Sequence, residues 1–241
     1  MGVEHEVQNA LAWRHRRSTV YGAQVANVVA RLRGSGDGTA ILLVAHYDSV
    51  FTGPGASDDG AAVAVLLELA DRFQREAFSL DETAVTLLFT VGEEAQMQGA
   101  LAYAGDRQIQ DHAGASTPTC AINLEVLGQN GGYLLWEQDG TAMISLPNDA
   151  ALNSALARAV EAVTGEPPIW APQLNSDAFA FLRAGIPAAT LGSYDRDLGG
   201  RGLHSALDSA SRVDPARLAE AAEVLCHLLQ ELDTGGDLLG D

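Results

Sequence analysis

The sequence predicts an α/β fold, a three-layer αβα sandwich around a mostly parallel (mixed) central sheet. Strand-like and helix-like segments alternate along the chain, and the strand-like segments 41–44 and 85–89 are continuous apolar runs. Such runs are typical of parallel strands covered by helices on both faces. The chain has 241 residues, 47% of them hydrophobic, which is enough for one sizeable core. We therefore predict a single domain over residues 1–241.

The individual elements follow from the spacing of apolar residues. Segment 3–17 has helical spacing, and segment 21–32 alternates like a strand. The glycine cluster 34–38 indicates a turn, and its position between two strand-like segments favours a hairpin. The remaining prediction is strand 40–46, helix 60–76, strand 83–91, helix 97–109, strand 119–126, strand 132–137, helix 149–164, helix 176–184, a strand near 187–191 and helix 214–232.

The charge composition excludes several classes of function. The chain carries 14 Lys plus Arg, all of them arginine, against 32 Asp plus Glu, for a net charge of −18. Without a basic stripe we expect no nucleic-acid partner and no contact with anionic membranes. The absence of lysine also excludes a Schiff-base lysine and a phosphate-binding P-loop.

Cysteine and hydropathy patterns bear on the compartment. Cys120 and Cys226 are too few for a disulfide framework or a cysteine zinc site, and we expect both in the core. The longest apolar run, 61–67, is far too short to span a membrane. We expect a soluble domain without its own signal or transmembrane segment, in a compartment that the sequence leaves unknown. The abrupt start at Met1 fits a piece excised from a secreted or membrane-anchored bacterial protein.

Side chains suited to metal binding follow three of the predicted strands. His46 ends the first strand and Asp48 follows it, Glu93 and Glu94 follow the second, and Glu125 lies at the end of the third. The carboxyl ends of parallel strands meet at one edge of the sheet, where α/β proteins bind their ligands. The three groups are therefore expected to lie together.

Each group also has an ordinary structural explanation. His46 and Asp48 leave an extended chain on the same face, as a metal-bound imidazole and its carboxylate do, but also as any hydrogen-bonded pair does. Glu93 and Glu94 could provide a metal ligand beside a free proton acceptor, or be solvated loop residues. A charge inside an apolar strand, as at Glu125, requires a partner.

Two further candidates remain ambiguous on the residues alone. Asp58 and Asp59 begin a predicted helix, where aspartate is a common N-cap. His204 follows a glycine-rich loop, and a lone histidine there has no decisive signature.

Taken in order, these motifs resemble the co-catalytic di-zinc aminopeptidase family, kin of bacterial leucine-type aminopeptidases, glutamate carboxypeptidases, transferrin receptors and glutaminyl cyclases. The resemblance covers about residues 20–230. Its motifs are HYDSV at 46–50, GPGASDDG at 53–60, GEE at 92–94, NLE at 123–125, SD at 176–177, GIP at 185–187, and His204 followed by DS at 208–209.

The resemblance implies two Zn²⁺ ions bridged by Asp58 and a water or hydroxide. His46 and Glu125 would complete one zinc site, and Glu94 and His204 the other. Three ligand carboxylates and one hydroxide carry four negative charges, which balance two divalent ions and allow the site to be buried. Imidazole and carboxylate ligands suit zinc.

The resemblance also implies a mechanism and a substrate. Glu93 would act as general base while the zinc-bound hydroxide attacks a peptide bond, and would return the proton to the leaving amine. Asp48 would orient His46, and Asp177 would occupy the family's serine–aspartate position. The peptide bond between Asp58 and Asp59 is often cis in this family. The expected activity is that of an aminopeptidase acting on peptide or aminoacyl substrates.

Departures from the family pattern concern specificity and remove no ligand. Glu125 stands where many of these aminopeptidases have aspartate, and Ala178 where histidine is frequent. Gln96, Met97 and Ala100 replace the commoner glycine, leucine and serine.

Two other reactions fit the same pattern. A carboxypeptidase or other amide hydrolase would need a cationic clamp, for which Arg183, Arg196 and Arg201 are the candidates. Glutaminyl-cyclase-like acyl transfer is disfavoured by the presence of His46, because that branch lacks the full two-metal ligand set. A receptor-like reading predicts lost ligands, and none is lost. The sequence has no signal for the oligomeric state or the preferred terminal residue.

Overall fold

Nine strands form one mixed sheet in a computed structural model of the chain, which describes residues 3–16, 19–32, 40–105 and 118–234. The strands are β1 (His5–Arg16), β2 (Thr19–Leu32), β3 (Ala40–His46), β4 (Ala84–Thr90), β5 (Cys120–Glu125), β6 (Tyr133–Thr141), β7 (Ile144–Pro147), β8 (Ile169–Leu174) and β9 (Ala188–Ser193). Their order in the sheet is β1-β2-β4-β3-β5-β9-β6-β7, and β8 pairs with β6.

Helices cover both faces of the sheet. The described residues include α1 (Ala61–Gln74), α2 (Gln98–Gly105), α3 (Ala150–Thr164), α4 (Ala178–Arg183) and α5 (Pro215–Asp233). The buried side chains of α1, α3 and α5 belong to one apolar cluster, and those of α2 and α4 to a second cluster. The predicted three-layer α/β architecture is confirmed.

The central strands explain why the apolar runs are continuous. β4, β3, β5 and β9 pair in parallel, whereas β1, β2 and β7 pair antiparallel. In β3, Leu42 and Val44 pack into the cluster with α2 and α4. Ile41, Leu43 and Ala45 pack into the cluster with α1, α3 and α5. Because successive side chains point to opposite faces, a strand covered on both sides is apolar at most of its positions.

The predicted helix over 3–17 is wrong. This segment is the edge strand β1, which pairs antiparallel with β2 from His5 opposite Ala30 to Arg16 opposite Thr19. Val7 and Leu11 have the helical i, i+4 spacing, but they are 54% and 64% exposed and bury no helix face against the core. Pairing with a strand that follows directly in the chain outweighs the local pattern.

The expected hairpin around residues 34–38 is also wrong. β2 and β3 are not neighbours, because β4 lies between them and pairs with both. Residues 33–39 themselves lie outside the described part of the chain. The two successive strands that do pair antiparallel are instead β1 and β2.

The other predicted elements are present, with shifted ends. The strand expected at 132–137 continues to Thr141, and α2 is described to Gly105, since residues 106–117 are outside the described part. β7 and β8 were not predicted. β8 contains Pro172 and forms an edge of the sheet, where a residue without an N–H is tolerated.

Candidate metal centre

The ends of three neighbouring strands supply most of the site. His46 is the last residue of β3 and Glu125 the last residue of β5, while Glu93 and Glu94 follow β4. Because these strands are parallel neighbours, the side chains that follow them lie at the same edge. Asp58 reaches this edge from a π-type turn, Ala56–Gly60, that precedes α1.

One group of three ligand atoms forms around His46. Its Nε2 lies 3.1 Å from Asp58 Oδ1 and 3.7 Å from Glu125 Oε1. All three side chains are buried. Their ligand atoms lie within 4.8 Å of one another, close enough to share one cation.

The hydrogen bonding of His46 leaves its Nε2 available to a cation. Nδ1 lies 3.0 Å from the backbone carbonyl of Asp48, an arrangement in which Nδ1 carries the hydrogen. In the neutral ring Nε2 then carries a lone pair that faces the carboxylate oxygens of Asp58 and Glu125. This arrangement is repulsive unless a proton or a metal ion lies between Nε2 and these oxygens. Burial opposes protonation, but the neighbouring carboxylates of Asp48, Asp58 and Glu125 outweigh it and hold the pKa of His46 well above its usual value.

A second group of three forms around His204. Its Nε2 lies 3.2 Å from Asp58 Oδ2 and 3.2 Å from Glu94 Oε2. Glu94 Oε1 is buried and has no hydrogen-bond partner among the described residues. A buried carboxylate oxygen without a donor is costly, and a cation would satisfy it. Unlike His46, the His204 side chain is 59% exposed, so this group opens to solvent.

Asp58 belongs to both groups because its two oxygens face different histidines. Oδ1 faces His46 and Oδ2 faces His204. The peptide bond between Asp58 and Asp59 is cis, as the family resemblance implied. The next carboxylate, that of Asp59, turns away from both groups and accepts the backbone N–H groups of His46 and Val126, each at 3.2 Å.

The spacing of the ligand atoms fits zinc. A tetrahedral Zn²⁺ with bonds of about 2.0–2.1 Å holds its ligand atoms about 3.3 Å apart. The observed separations around the two histidines are 3.1–3.7 Å. The donors, imidazole nitrogen and carboxylate oxygen, are also those that zinc prefers. Two zinc ions therefore fit this residue set.

Glu93 lies beside the two groups but belongs to neither. Its side chain is 8% exposed. Burial, reinforced by the charges of Glu125 and Asp177, raises the pKa of Glu93 to about 10 in the metal-free protein. Cations in the two groups would oppose this shift, because positive charge favours the carboxylate form.

Asp48 acts through different atoms from those expected. Its backbone carbonyl, not its carboxylate, is the closer partner of His46, since the carboxylate Oδ1 lies 3.6 Å from Nδ1. Oδ1 instead accepts the backbone N–H groups of Gly92 at 2.7 Å and Glu93 at 3.2 Å. Asp48 thus ties the end of β3 to the segment that carries the two glutamates.

Asp177 is fully buried below the site. The Thr90 hydroxyl donates to its Oδ2, and its Oδ1 has no hydrogen-bond partner among the described residues. Burial raises the pKa of Asp177 to about 7. The preceding residue, Ser176, is held through both its backbone N–H and its hydroxyl by Asp139, at 2.8 Å and 2.7 Å.

Sequence reasoning missed the residues that support the site without entering it. Asp208 accepts the backbone N–H groups of Ser57 at 2.6 Å and Asp58 at 3.2 Å. In the sequence, Asp208 and Asp59 stand out only as parts of the motifs at 208–209 and 53–60, and Asp139 has no signal beyond an acidic residue near apolar neighbours. Their partners are distant in sequence, so spacing alone could not have identified them.

Comparison with protein-family models identifies the family of this chain. The model described as peptidase family M28 matches residues 27–229. The chain belongs to peptidase family M28. This family of metallopeptidases accounts for the resemblance of the motifs, and its matched region contains all five candidate metal ligands.

Curated relatives of this M28 chain are much longer proteins. The vacuolar membrane protease of Schizophyllum commune is 32% identical over 136 residues, which are 55% of this chain and 14% of that protein. Endoplasmic reticulum metallopeptidase 1 of Mus musculus is 36% identical over 120 residues, 49% of this chain and 13% of that protein. The chain thus spans only a small part of the curated relatives that it matches. None of the helices described for this chain has the length and hydropathy of a membrane span.

Solved structures share the M28 fold at low identity. The aminopeptidase from Aneurinibacillus sp. strain AM-1 is 22% identical with a TM-score of 0.69, covering 89% of this chain and 49% of that one. The Porphyromonas gingivalis glutaminyl cyclase is also 22% identical with a TM-score of 0.69, covering 95% of this chain and 84% of that one. At this level of identity the likeness establishes the fold.

Proposed function

We propose that this M28 chain is a di-zinc aminopeptidase, a single catalytic domain that hydrolyses the N-terminal peptide bond of peptide or aminoacyl substrates. The observation that carries the proposal is the position of Asp58, whose two carboxylate oxygens each lie within 3.2 Å of a different histidine nitrogen. A carboxylate so placed can bridge two cations, and co-catalytic sites hold their ions only about 3.5–4 Å apart.

Five residues would hold the two ions. His46 and Glu125 would complete one site and Glu94 and His204 the other, with Asp58 shared. When bound, two zinc ions supply Lewis acidity, which polarises a carbonyl group and lowers the pKa of a nearby water towards neutrality. The protein's own residues must then orient the substrate and move the proton.

Glu93 is the proposed proton carrier. Its carboxylate would accept the proton of the attacking water and donate it to the nitrogen of the leaving amine. The protein supports this assignment in two ways: Glu93 is outside both ligand groups, and it is buried beside them. Asp48 would position it, because Asp48 holds the Glu93 backbone N–H.

The charge of the site supports an aminopeptidase over a carboxypeptidase. Seven acidic side chains lie in or directly behind the site, namely Asp48, Asp58, Asp59, Glu93, Glu94, Glu125 and Asp177. The three ligand carboxylates and a hydroxide would balance two divalent ions, and any of the other four carboxyl groups that is ionised would add negative charge. Such a site attracts an ammonium group and repels a carboxylate. Among the described residues, the carboxylates of the two ligand groups form ion pairs only with histidines. Arg201 donates through Nε to the carbonyl of Leu198 on its own loop.

Metal analysis combined with two substrate classes tests the proposal. Purified protein should contain two zinc ions per chain and hydrolyse aminoacyl-nitroanilides. Peptides blocked at the amino terminus should remain intact. Hydrolysis of blocked peptides alone would favour the carboxypeptidase or amide-hydrolase alternative.

Glutaminyl cyclisation is the second candidate. The observation in its favour is the likeness of fold, because the P. gingivalis glutaminyl cyclase superposes on 95% of this chain with a TM-score of 0.69. Ammonia release from a glutaminyl peptide distinguishes the reactions, since cyclisation expels the side-chain amide nitrogen whereas aminopeptidase action releases free glutamine. The intact ligand group around His46 favours hydrolysis.

A further inference from the structure

His204 is the proposed ligand with the least support from its surroundings. It lies in the segment between β9 and α5, residues 194–214, which we call the His204 loop. Within this loop the regular structure consists of two short 3-10 turns, Gly199–Gly202 and Ala210–Arg212. The His204 side chain is 59% exposed, whereas that of His46 is 1% exposed and is held by the core. The position of His204 therefore depends on how its loop is held.

An ion pair joins the two ends of the His204 loop. Arg212 donates through Nη2 to Asp195 Oδ2 at 2.5 Å. The other oxygen, Asp195 Oδ1, accepts the backbone N–H groups of Asp197 and Leu198, each at 2.8 Å. The Asp195 carboxylate is 8% exposed, and the Arg212 hydrogen bond lowers its pKa although burial opposes this. The Arg212 side chain is 36% exposed, so the pair is shielded from solvent only on the Asp195 side. Charged hydrogen bonds are stronger than neutral ones, and partial burial reduces screening by salt.

Contacts in the middle of the loop attach it to the turn that carries Asp58. The Thr52 hydroxyl donates to the His204 carbonyl at 2.9 Å, and Asp208 holds the backbone of Asp58. Backbone hydrogen bonds hold each end to the segment after β5, from the Gly131 N–H to the Tyr194 carbonyl at 2.8 Å and from the Asp214 N–H to the Gly128 carbonyl at 2.9 Å. The Asp195–Arg212 pair adds a direct link between the two ends. Closing its two ends removes conformations in which His204 swings away from Asp58 and Glu94.

We propose that the Asp195–Arg212 ion pair is a latch that positions His204 and so sets the affinity of the Asp58–Glu94–His204 group for its metal ion. Asp195 and Arg212 touch none of the ligand atoms and act through the loop. The proposal rests on the proposed function, because it concerns one of the two ions of that site. A loop that must be ordered during binding loses affinity by the cost of that ordering.

Zinc titration of the metal-free protein tests the latch. The variant Arg212→Gln should bind one ion about 10–100-fold more weakly than the wild type, the range typical of residues that orient a ligand. Its affinity for the other ion should be unchanged. Arg212→Lys, which keeps the charge, should recover part of the loss. The matched control is Arg158→Gln, which removes an Arg–Glu pair, with Glu231, that joins α3 to α5 and should leave both affinities unchanged.

A double variant shows whether the effect passes through His204. In a His204→Ala background, Arg212→Gln should cause no further loss of affinity, because the residue that it positions is absent. Unchanged affinities in Arg212→Gln, or an equal loss at both ions, would overturn the latch while leaving the proposed function intact. A wild-type chain that binds no zinc would instead overturn the proposed function, and the latch with it.

Discussion

Asp208 holds the backbone of Asp58, its Oδ2 accepting the Asp58 N–H at 3.2 Å across 150 residues of sequence. The other oxygen of Asp208 accepts the neighbouring N–H of Ser57 at 2.6 Å. One buried carboxylate thus connects the His204 loop to the turn whose aspartate faces both histidines. This contact therefore couples the His204 loop to the turn that carries Asp58.

Removal of Asp208 should weaken both stability and metal binding. Asp208→Ala leaves two N–H groups of a buried turn without an acceptor, a cost of about 1–3 kcal/mol for each. We expect a lower free energy of unfolding in the metal-free protein and a weaker zinc affinity, measured by denaturant titration and calorimetry. Asp233→Ala is a matched control, because Asp233 accepts the backbone N–H groups of residues 81–83 far from the site. It should lose stability but keep zinc affinity, and a similar affinity loss in both variants would contradict the coupling.

Glu93 and Glu94 should separate catalysis from metal binding. Glu93→Ala removes no proposed ligand, so it should retain two zinc ions while turnover falls about 10²–10⁴-fold, the range for loss of a general base. Glu94→Ala should lose the ion of the His204 group. Elemental analysis and initial rates measure both effects. A metal-free Glu93→Ala protein would mean that the two roles are exchanged.

Zinc binding should release protons near neutral pH. The pKa of His46 is raised by its carboxylate neighbours despite burial, and the pKa of Glu93 is raised to about 10 chiefly by burial. Both groups therefore hold protons in the metal-free protein, and two cations displace them. Calorimetry in buffers of different ionisation enthalpy should give a positive proton release and an affinity that increases with pH. A release of zero at pH 7 would argue against this protonation of the site.

The metal-free protein should lose stability as pH rises from about 5 to 7. Burial raises the pKa of Asp139 to about 7, although hydrogen bonds from Ser176 oppose the shift. The folded state then binds more protons than the unfolded state in this window, so stability falls by up to about 1.4 kcal/mol per pH unit for this group. Denaturant titrations across the window measure the slope. Asp139→Asn, which cannot ionise, should have a shallower slope, and an unchanged slope would assign the effect to other groups.

The sequence indicates the candidate metal ligands more clearly than it indicates the residues that hold them in place. The convergence of His46, Glu94 and Glu125 could be predicted because each follows a buried apolar run, and parallel strands end at a common edge. Asp59, Asp139 and Asp208 could not, because their roles depend on backbone N–H groups that come close only after folding. For the first set, the position of each residue along its own strand is sufficient for the prediction. For the second set, the role depends on a partner that is distant in sequence.

The fold shows the same division. The apolar runs of β3 and β4 were sufficient to predict buried strands, because strands between two helical layers consist mostly of apolar residues. Residues 5–16 were misread as a helix, because local spacing does not reveal that β2 offers a pairing edge. The neighbours of β2 were misjudged for the same reason, since strand order is a long-range property.

By itself, the sequence determined which residues are apolar, which can bind a metal, and where along the chain each buried strand ends. These properties belong to each side chain and its neighbours in sequence, so they do not depend on tertiary contacts. Tertiary structure alone decided which atoms face each other, including the two histidines on opposite oxygens of Asp58 and the ion pair that closes the His204 loop. Hydrogen bonds and ion pairs act over about 3 Å, so they are defined only once folding brings distant residues together.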